Sequence, residues 1–354
     1  MTRRRVGSSG RVGSNGGAPS SVPRTRLVTP RGALGVALSL ALLVAVMVAV
    51  DTQAVLAQLS RVESSWLFVF ALASVPQVAA LGLRWTSISR GLGLPLDPFT
   101  AIREYAIGIA LNQSLPTGIA GDALRAFRHG QSIRSHMTTP LPAPSRSAQL
   151  PDPRSVLALV LDRVSGQLAL LTLAMVAVGV GLANGLFPAA GFFYVAATLT
   201  CVAIALYATR RLVPRVWRVG ERLRTLLARG RDTLFAPRAF TTHFTLSCLF
   251  LACTLLQYWA AGRATGVSLS VSQLLWFGSS VLLVTSIPTF FAGWGVREGA
   301  SGALFALAGF AASDGVAIAV MFGLFSFVVG WLNAIVAVAS MVTARVIRQG
   351  RRRV

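Results

Sequence analysis

Lysine is absent from this sequence. All 33 basic residues are arginine, against 11 acids, and the formal net charge is +22. An all-arginine basic set points to a GC-rich coding bias. Charged residues of both signs make up only 12% of the 354 positions, about half the share usual in a soluble domain. That shortage, beside 54% hydrophobic residues, excludes an ordinary soluble fold. The arginines sit in loops between apolar runs, where they act as topology signals. No RNA-recognition signature accompanies them, so no nucleic-acid partner is expected. Cysteine is also scarce: Cys201, Cys248 and Cys253 all fall inside apolar runs. They read as small buried hydrophobes, not as a disulfide framework or a thiolate metal site. The three histidines, His129, His136 and His243, are far apart along the chain. No metal and no cofactor is expected.

What is present is a series of long apolar stretches. A bilayer-spanning helix needs ~20 mostly apolar residues. Gly32–Val50, Trp66–Leu83, Val156–Leu182, Phe192–Ala208, Phe244–Ala261, Leu274–Phe291 and Val316–Ala344 are the candidates, and Ala300–Ala312 is a shorter run. The expected class is an all-α polytopic membrane protein. The first run follows a basic N-terminus and is read as a retained span rather than a cleaved signal. Residues 1–31 form a disordered basic segment, 32–344 the membrane domain and 345–354 a basic tail. Prolines 140, 142, 144, 151 and 153 mark a disordered loop over 135–153.

Arginine placement sets the expected topology, because cytoplasmic loops are enriched in basic residues. Seven arginines before residue 32 and five after Ala344 put both termini in the cytoplasm of a bacterial inner membrane. Asp51–Ser65, with one arginine and two acids, reads as external. Arg84 and Arg90 then follow the second span on the inside. Thr209–Thr242, with nine arginines and two acids, reads as cytoplasmic.

Two places resist simple crossing. Ala101–Leu115 is apolar enough to enter the membrane. Yet residues 118–154 carry Arg125, Arg128, Arg134, Arg146 and Arg154 against Asp122 and Asp152, so the chain must come back to the same side. Ala101–Phe127 is therefore expected to be a re-entrant hairpin. Such backbone is tolerated only where protein or a water-filled cavity covers it. Leu274–Ala312 is a second even excursion, entered from outside, whether as two spans or one hairpin.

The turns of these two excursions are alike. Ser114–Arg125, SLPTGIAGDALR, recurs as Ser286–Arg297, SIPTFFAGWGVR, 172 residues later with six identities in twelve positions. Chance between apolar stretches gives roughly one. Similar segments approached from opposite sides point to an inverted repeat around a central site. The expected architecture is about six full spans plus two re-entrant or broken helical hairpins. Pro116, Gly118 and Gly121 would shape the first turn, and Pro288, Gly293 and Gly295 the second.

Charges inside spans cost about 2.5–3.5 kcal/mol each on insertion scales, which makes each a candidate for function. Three groups stand out: Asn112, Asp122 and Arg125 at the first turn; Asp162 and Arg163 within Val156–Leu182; Arg297 and Glu298 at the second turn. Arg125, beside free helix N–H groups, suits a phosphate. Asp122 serves the site or caps the restarting helix. Arg163 pairs or snorkels. Asp162 needs a partner, for which Arg125 is the candidate. Arg297 again suits a phosphate, and Glu298 an arginine or a cationic headgroup.

These motifs resemble those of the lysylphosphatidylglycerol synthase transmembrane region, also called the flippase-like or UPF0104 family. The family's Asn, Leu-Pro, Gly-Gly-Asp-like turn and Arg correspond here to Asn112, Leu115-Pro116, Ala120-Gly121-Asp122 and Arg125. Its mid-chain acid-Arg pair is Asp162-Arg163. Its C-terminal Pro, Gly-Gly-x-Gly and Arg-Glu correspond to Pro288, Ala292-Gly293-Trp294-Gly295 and Arg297-Glu298. The departures are Ala for the first Gly of both turns and Asp at 162. The resemblance implies a lipid-handling membrane domain that moves a phosphate-bearing lipid or lipid-linked headgroup between leaflets. The soluble aminoacyl-transferase domain of the best understood members does not follow in this chain, so no enzyme activity is expected. The alternatives are a membrane-embedded lipid-modifying transferase and a non-catalytic partner of a lipid synthase. Expected partners are the membrane phospholipid or lipid-linked substrate, a second copy of the chain, or a separate lipid-synthesising enzyme.

Overall fold

A computed structural model describes residues 51–60, 62–115, 120–136, 152–184, 221–286 and 293–351, with single positions 41, 44, 45 and 48 before them. The expected spans Gly32–Val50 and Phe192–Ala208, and the loop over 137–151, lie outside the described residues. The turn residues Pro116, Gly118 and Pro288 lie outside them as well.

The described residues form ten helices: α1 (Thr52–Ser60), α2 (Ser65–Gly91), α3 (Pro98–Ser114), α4 (Ala120–His136), α5 (Pro153–Ala183), α6 (Glu221–Phe235), α7 (Pro237–Ala264), α8 (Val271–Thr285), α9 (Val296–Leu307) and α10 (Ala312–Arg351). Four are long and apolar enough to cross a membrane: α2, α5, α7 and the stretch Ala312–Ala344 of α10. Their starts carry local signals. The Asp97 carboxylate accepts the Thr100 N–H ahead of Pro98, and Asp152 accepts the Arg154 N–H ahead of Pro153. Proline suits the first helical turn because its missing N–H would be unpaired there anyway. Ser270 and Gln273 close a capping box at the start of α8.

One expectation is corrected here. The apolar run ends at Leu83, but α2 continues to Gly91 and keeps Arg84 inside the bundle, 4% exposed. Arg84 is not a loop residue. A helix runs on past its apolar stretch when a partner takes up the charge.

Among the described residues the two largest apolar clusters lie at opposite ends of the bundle. One gathers Trp85 and Ile88 of α2, Tyr105 of α3, Ile133 of α4, Leu161 of α5 and Ala337 of α10. The other gathers Phe70 of α2, Val178 of α5, Tyr258 of α7, Phe277 of α8, Phe305 of α9 and Phe325 of α10. The α3–α4 pair therefore belongs to the end where α2 finishes and α5 begins. The α8–α9 pair belongs to the opposite end.

Both pairs consist of helices shorter than the four long ones. At 1.5 Å per residue the 17 residues of α3 reach about 25 Å, the 15 of α8 about 22 Å and the 12 of α9 about 18 Å. The tip of α3 lies deep. Trp331 of α10 donates to Ser114 Oγ at 3.0 Å, and Asn333, two residues on, donates to Ser74 Oγ at 3.0 Å. Ser74 is only about 13 Å from the far end of α2.

Helix spacing repeats along the chain. The start of α2 at Ser65 and of α7 at Pro237 are 172 residues apart, the offset of the SLPT/SIPT motif. At that offset α3 falls on α8 and α4 on α9, giving a long–short–short helix order twice.

Candidate functional site

The α3–α4 pair closes at two glycines. A Cβ on Gly121 would stand 2.1 Å from the Gly108 carbonyl oxygen and 2.6 Å from its Cα. Only paired small residues let two helix backbones approach this closely. The Gly121 N–H donates to Asn112 Oδ1 at 2.7 Å, so Asn112 ties the tip of α3 to the start of α4. That contact sets the register of every charged side chain that follows on α4.

Asp122 lies in the first turn of α4, where the helix dipole favours a negative charge. One helical turn on, Arg125 donates Nη2 to Asp122 Oδ1 at 2.5 Å. Arg163 of α5 donates to the other carboxylate oxygen. Asp122 thus holds two arginines. Arg125 is 1% exposed, with its guanidinium 3.6 Å from the centre of the Tyr105 ring and 5.0 Å from that of Trp85. Such cation–π contacts partly replace water around a buried guanidinium.

Asp162 does not meet Arg125. It is fully buried and accepts from Arg84 Nε at 2.7 Å and from the Tyr105 hydroxyl. Arg84 Nη1 donates to Ser247 Oγ of α7 at 2.9 Å. Adjacent helix residues diverge by about 100°, so Asp162 turns to α2 and α3 while Arg163 turns to α4. Tyr105 joins the two halves, since its ring carries Arg125 and its hydroxyl serves Asp162.

The charges in this network do not balance. Three guanidiniums, Arg84, Arg125 and Arg163, meet two carboxylates, Asp122 and Asp162. The neighbouring Arg128–Glu104 pair, 3.2 Å apart, leaves the excess unchanged. Unpaired donors collect beside it. Arg125 Nε and Nη1, Trp85 Nε1 and Ser89 Oγ are buried without a hydrogen-bond partner. Leaving such groups unsatisfied is costly, about 1–3 kcal/mol apiece. Trp85 and Ser89 are one turn apart on α2, Arg125 and His129 one turn apart on α4, and Trp85 packs edge-on against His129. The group is rich in N–H and poor in acceptors. Arg163 is the accessible cation of the network, with 56% of its side chain exposed.

The second turn has a different electrostatic character. Gly293 and Gly295 hold φ of 80° and 85°, a region where L side chains are strained. The Gly295 N–H donates to Glu298 Oε2 at 2.6 Å, and Glu298 Oε1 accepts from Arg297 Nη2 at 2.6 Å and Nε at 3.0 Å. Arg297 and Glu298 are both buried and neutralise each other. Arg297 packs 4.9 Å from the Trp294 ring centre and 5.8 Å from that of Phe322. A Cβ on Gly323 would lie 2.1 Å from Arg297 Nη2, so that glycine makes room for the guanidinium.

The two repeated arginines occupy different levels. Arg125 packs on Trp85, whereas Arg297 packs on Phe322, which in turn contacts Phe70. Trp85 and Phe70 are 15 residues apart on α2, about 22 Å along the axis. Arg125 on α4 and Arg297 on α9 each lie with the apolar cluster of their own end of the bundle. They do not meet at a single point.

Sequence reasoning missed Arg84, Tyr105 and Ser247. Arg84 could have been found as a charge at the end of an apolar run with no proline or glycine between it and Gly91. Tyr105 and Ser247 look like ordinary helix residues until the packing brings them to Asp162.

The family described as the lysylphosphatidylglycerol synthase TM region matches residues 32–333 of the chain. No curated protein and no solved structure matches it.

Proposed function

Since the chain belongs to the lysylphosphatidylglycerol synthase TM region family, an integral membrane family of lipid metabolism, we propose that it moves a phosphate-bearing lipid between leaflets. The observation that carries this reading is the excess of positive charge at the α3–α4 turn, where the buried Arg125 and the accessible Arg163 share the single carboxylate of Asp122. A membrane interior tolerates an uncompensated guanidinium poorly. An anionic phosphate completes the balance and takes up the unpaired N–H groups of Arg125.

In this reading the lipid headgroup meets Arg163 first, because that side chain is accessible. Arg125 then shares its phosphate. Asp122 releases part of its hold on both arginines as the phosphate arrives, while Asp162 keeps Arg84 and Tyr105 in place. The second turn supports the same cycle from the other face. The common 172-residue offset and the placement of the two short-helix pairs at opposite ends support an inverted repeat, with α3–α4 and α8–α9 as re-entrant hairpins. Arg297 would receive the headgroup when Glu298 exchanges it. The α3–α4 end faces the cytoplasm of the inner membrane, as the arginine-rich loops require.

A leaflet-resolved assay in proteoliposomes tests this. Headgroup-labelled anionic phospholipid in the inner leaflet should become accessible outside with wild-type protein and not with Arg163→Gln. Failure of folded protein to move phosphatidylglycerol, other anionic phospholipids or a lipid-linked sugar phosphate would refute translocation. A new lipid species in the extract would establish a transferase instead.

A further inference from the structure

The two repeated arginines sit at levels about 22 Å apart along α2, and an anion passing between them needs polar groups on the way. The middle of the bundle supplies them. Gln77 lies halfway along α2 (Ser65–Gly91). Its Nε2 donates to Thr254 Oγ1 and to Gln257 Oε1 of α7, both at 2.9 Å. Ser74, one turn earlier on α2, accepts from Asn333 Nδ2 of α10. Gln113 of α3 packs on α10 one turn before Asn333, its Nε2 3.6 Å from where a Cβ on Gly330 would stand. Its neighbour Asn112 holds the α3–α4 turn. Four helices thus bring amides and hydroxyls together between the level of Arg125 and the level of Arg297.

Exposure separates this layer from packing glue. Interhelical hydrogen bonds hold membrane helices together at about 0.6 kcal/mol each, and they do so without any opening beside them. Here Ser74, Thr254 and Gln257 are buried. Gln77 is only half-buried, and so are Asn333, Gln113 and Asn112. Yet Gln77 lies inside the buried arc of α2. Its neighbours three and four residues away in both directions, Ala73, Ser74, Ala80 and Leu81, are all buried. Its exposure is therefore to an opening within the bundle. The lipid-facing side of α2 carries Leu72 and Val75, 62% and 61% exposed. Polar side chains around an opening at this depth belong to a water-filled cavity, because hydrocarbon solvates them poorly.

We propose that this opening is a water-filled passage for the phosphate headgroup between the two turns, and that Gln113, Asn333 and Gln77 donate to the phosphate in transit. The inference rests on the translocation reading. Charged Arg125 and Arg297 hold the phosphate at the two ends. Neutral amides bind an anion more weakly than guanidiniums do, and a passage works only where its sites release what they bind. Gln77 and Asn333 give up only neutral hydrogen bonds, to Thr254, Gln257 and Ser74, when they turn to the headgroup.

Single-cysteine variants test the opening, in a full chain whose Cys201, Cys248 and Cys253 are replaced by Ala. The probe is a charged, membrane-impermeant methanethiosulfonate, which reacts with the thiolate that water supports and apolar surroundings suppress. Gln77→Cys and Asn333→Cys should label about tenfold faster than Leu72→Cys and Ile335→Cys on the lipid face. Labelling of all four at the same slow rate would overturn the passage, whether or not lipid moves. Gln77→Glu and Asn333→Asp test the occupant, since each keeps the side chain's size and places a negative charge in the path. In proteoliposomes each should slow movement of headgroup-labelled phosphatidylglycerol by about tenfold, because like charges repel, with elution volume unchanged. Undiminished movement in both folded variants would overturn the proposal and leave translocation standing. A wild-type chain that moves no lipid would instead refute the translocation reading, and the passage's role would fall with it.

Discussion

Replacing Asp162 by Asn removes one charge and almost no volume, so it isolates the electrostatic role of the buried carboxylate. Arg84 would then sit 4% exposed with Ser247 Oγ as its remaining strong acceptor and no counter-charge. Removing one partner of a buried pair costs about 3–5 kcal/mol, because the other charge is left without water or partner. Asparagine keeps an oxygen for Tyr105, which places the expected loss near the low end, about 3 kcal/mol. At about 2–4 °C per kcal/mol, the unfolding midpoint in detergent should fall by about 6–12 °C. Arg84→Met alone should destabilise similarly by stranding Asp162. The combined R84M/D162N variant should recover most of the loss, since removing both charges of a buried pair is close to neutral. The assay is a double-mutant cycle on midpoints read by tryptophan fluorescence or size-exclusion after heating. If the two losses simply add, or if D162N melts with wild type, the Arg84–Asp162 bridge does not hold α2 to α5 and the reasoning fails.

Arg163→Gln should leave the unfolding midpoint within a few degrees of wild type, because its ion pair is half in solvent and such pairs are worth about 0–1 kcal/mol; transport should nonetheless fall by tenfold or more, with Arg163→Lys intermediate. Gly121→Ala should prevent stable folding, its Cβ meeting the Gly108 carbonyl at 2.1 Å; a normal midpoint and normal transport would show that α3 and α4 are not in backbone contact. Gly323→Ala should push the Arg297 guanidinium off Glu298, lowering the midpoint by several degrees, and R297Q/E298Q in the same chain, which removes the clash and both charges of the buried pair, should recover most of that loss; no recovery would mean the glycine is needed for another reason. A reporter fused at residue 140 should read cytoplasmic, and an external reading would refute the α3–α4 hairpin.

The membrane class, the four described long helices and both breaks were legible from apolar run length, and the family from Asn112 through Glu298. What could be read reflects local chemistry. Apolar length dictates a spanning helix, and Pro/Gly clusters interrupt one wherever they fall. The capped starts at Asp97 and Asp152 were equally local. Pairing partners were not legible, because ion pairs between helices depend on rotation and depth, to which composition is blind. Asp162 was expected to seek Arg125, and it found Arg84, 78 positions away.

The sequence by itself determined that this chain belongs in a bilayer, that its path breaks at Ser114–Arg125 and again at Ser286–Arg297, and that each break ends in an arginine. Those properties follow from solvation and backbone sterics within a few residues. Only the tertiary structure decided what those arginines are worth. Arg297 lies beside its own acid and is neutral as a pair. Arg125 shares Asp122 with Arg163, leaving one cation in excess. The difference arises because Asp122 aligns with Trp294. The acid of the second turn is Glu298, adjacent to its arginine, while the first turn borrows its remaining charges from α2 and α5. A short motif repeats the same arginine twice, but its net charge is set by helices distant in sequence.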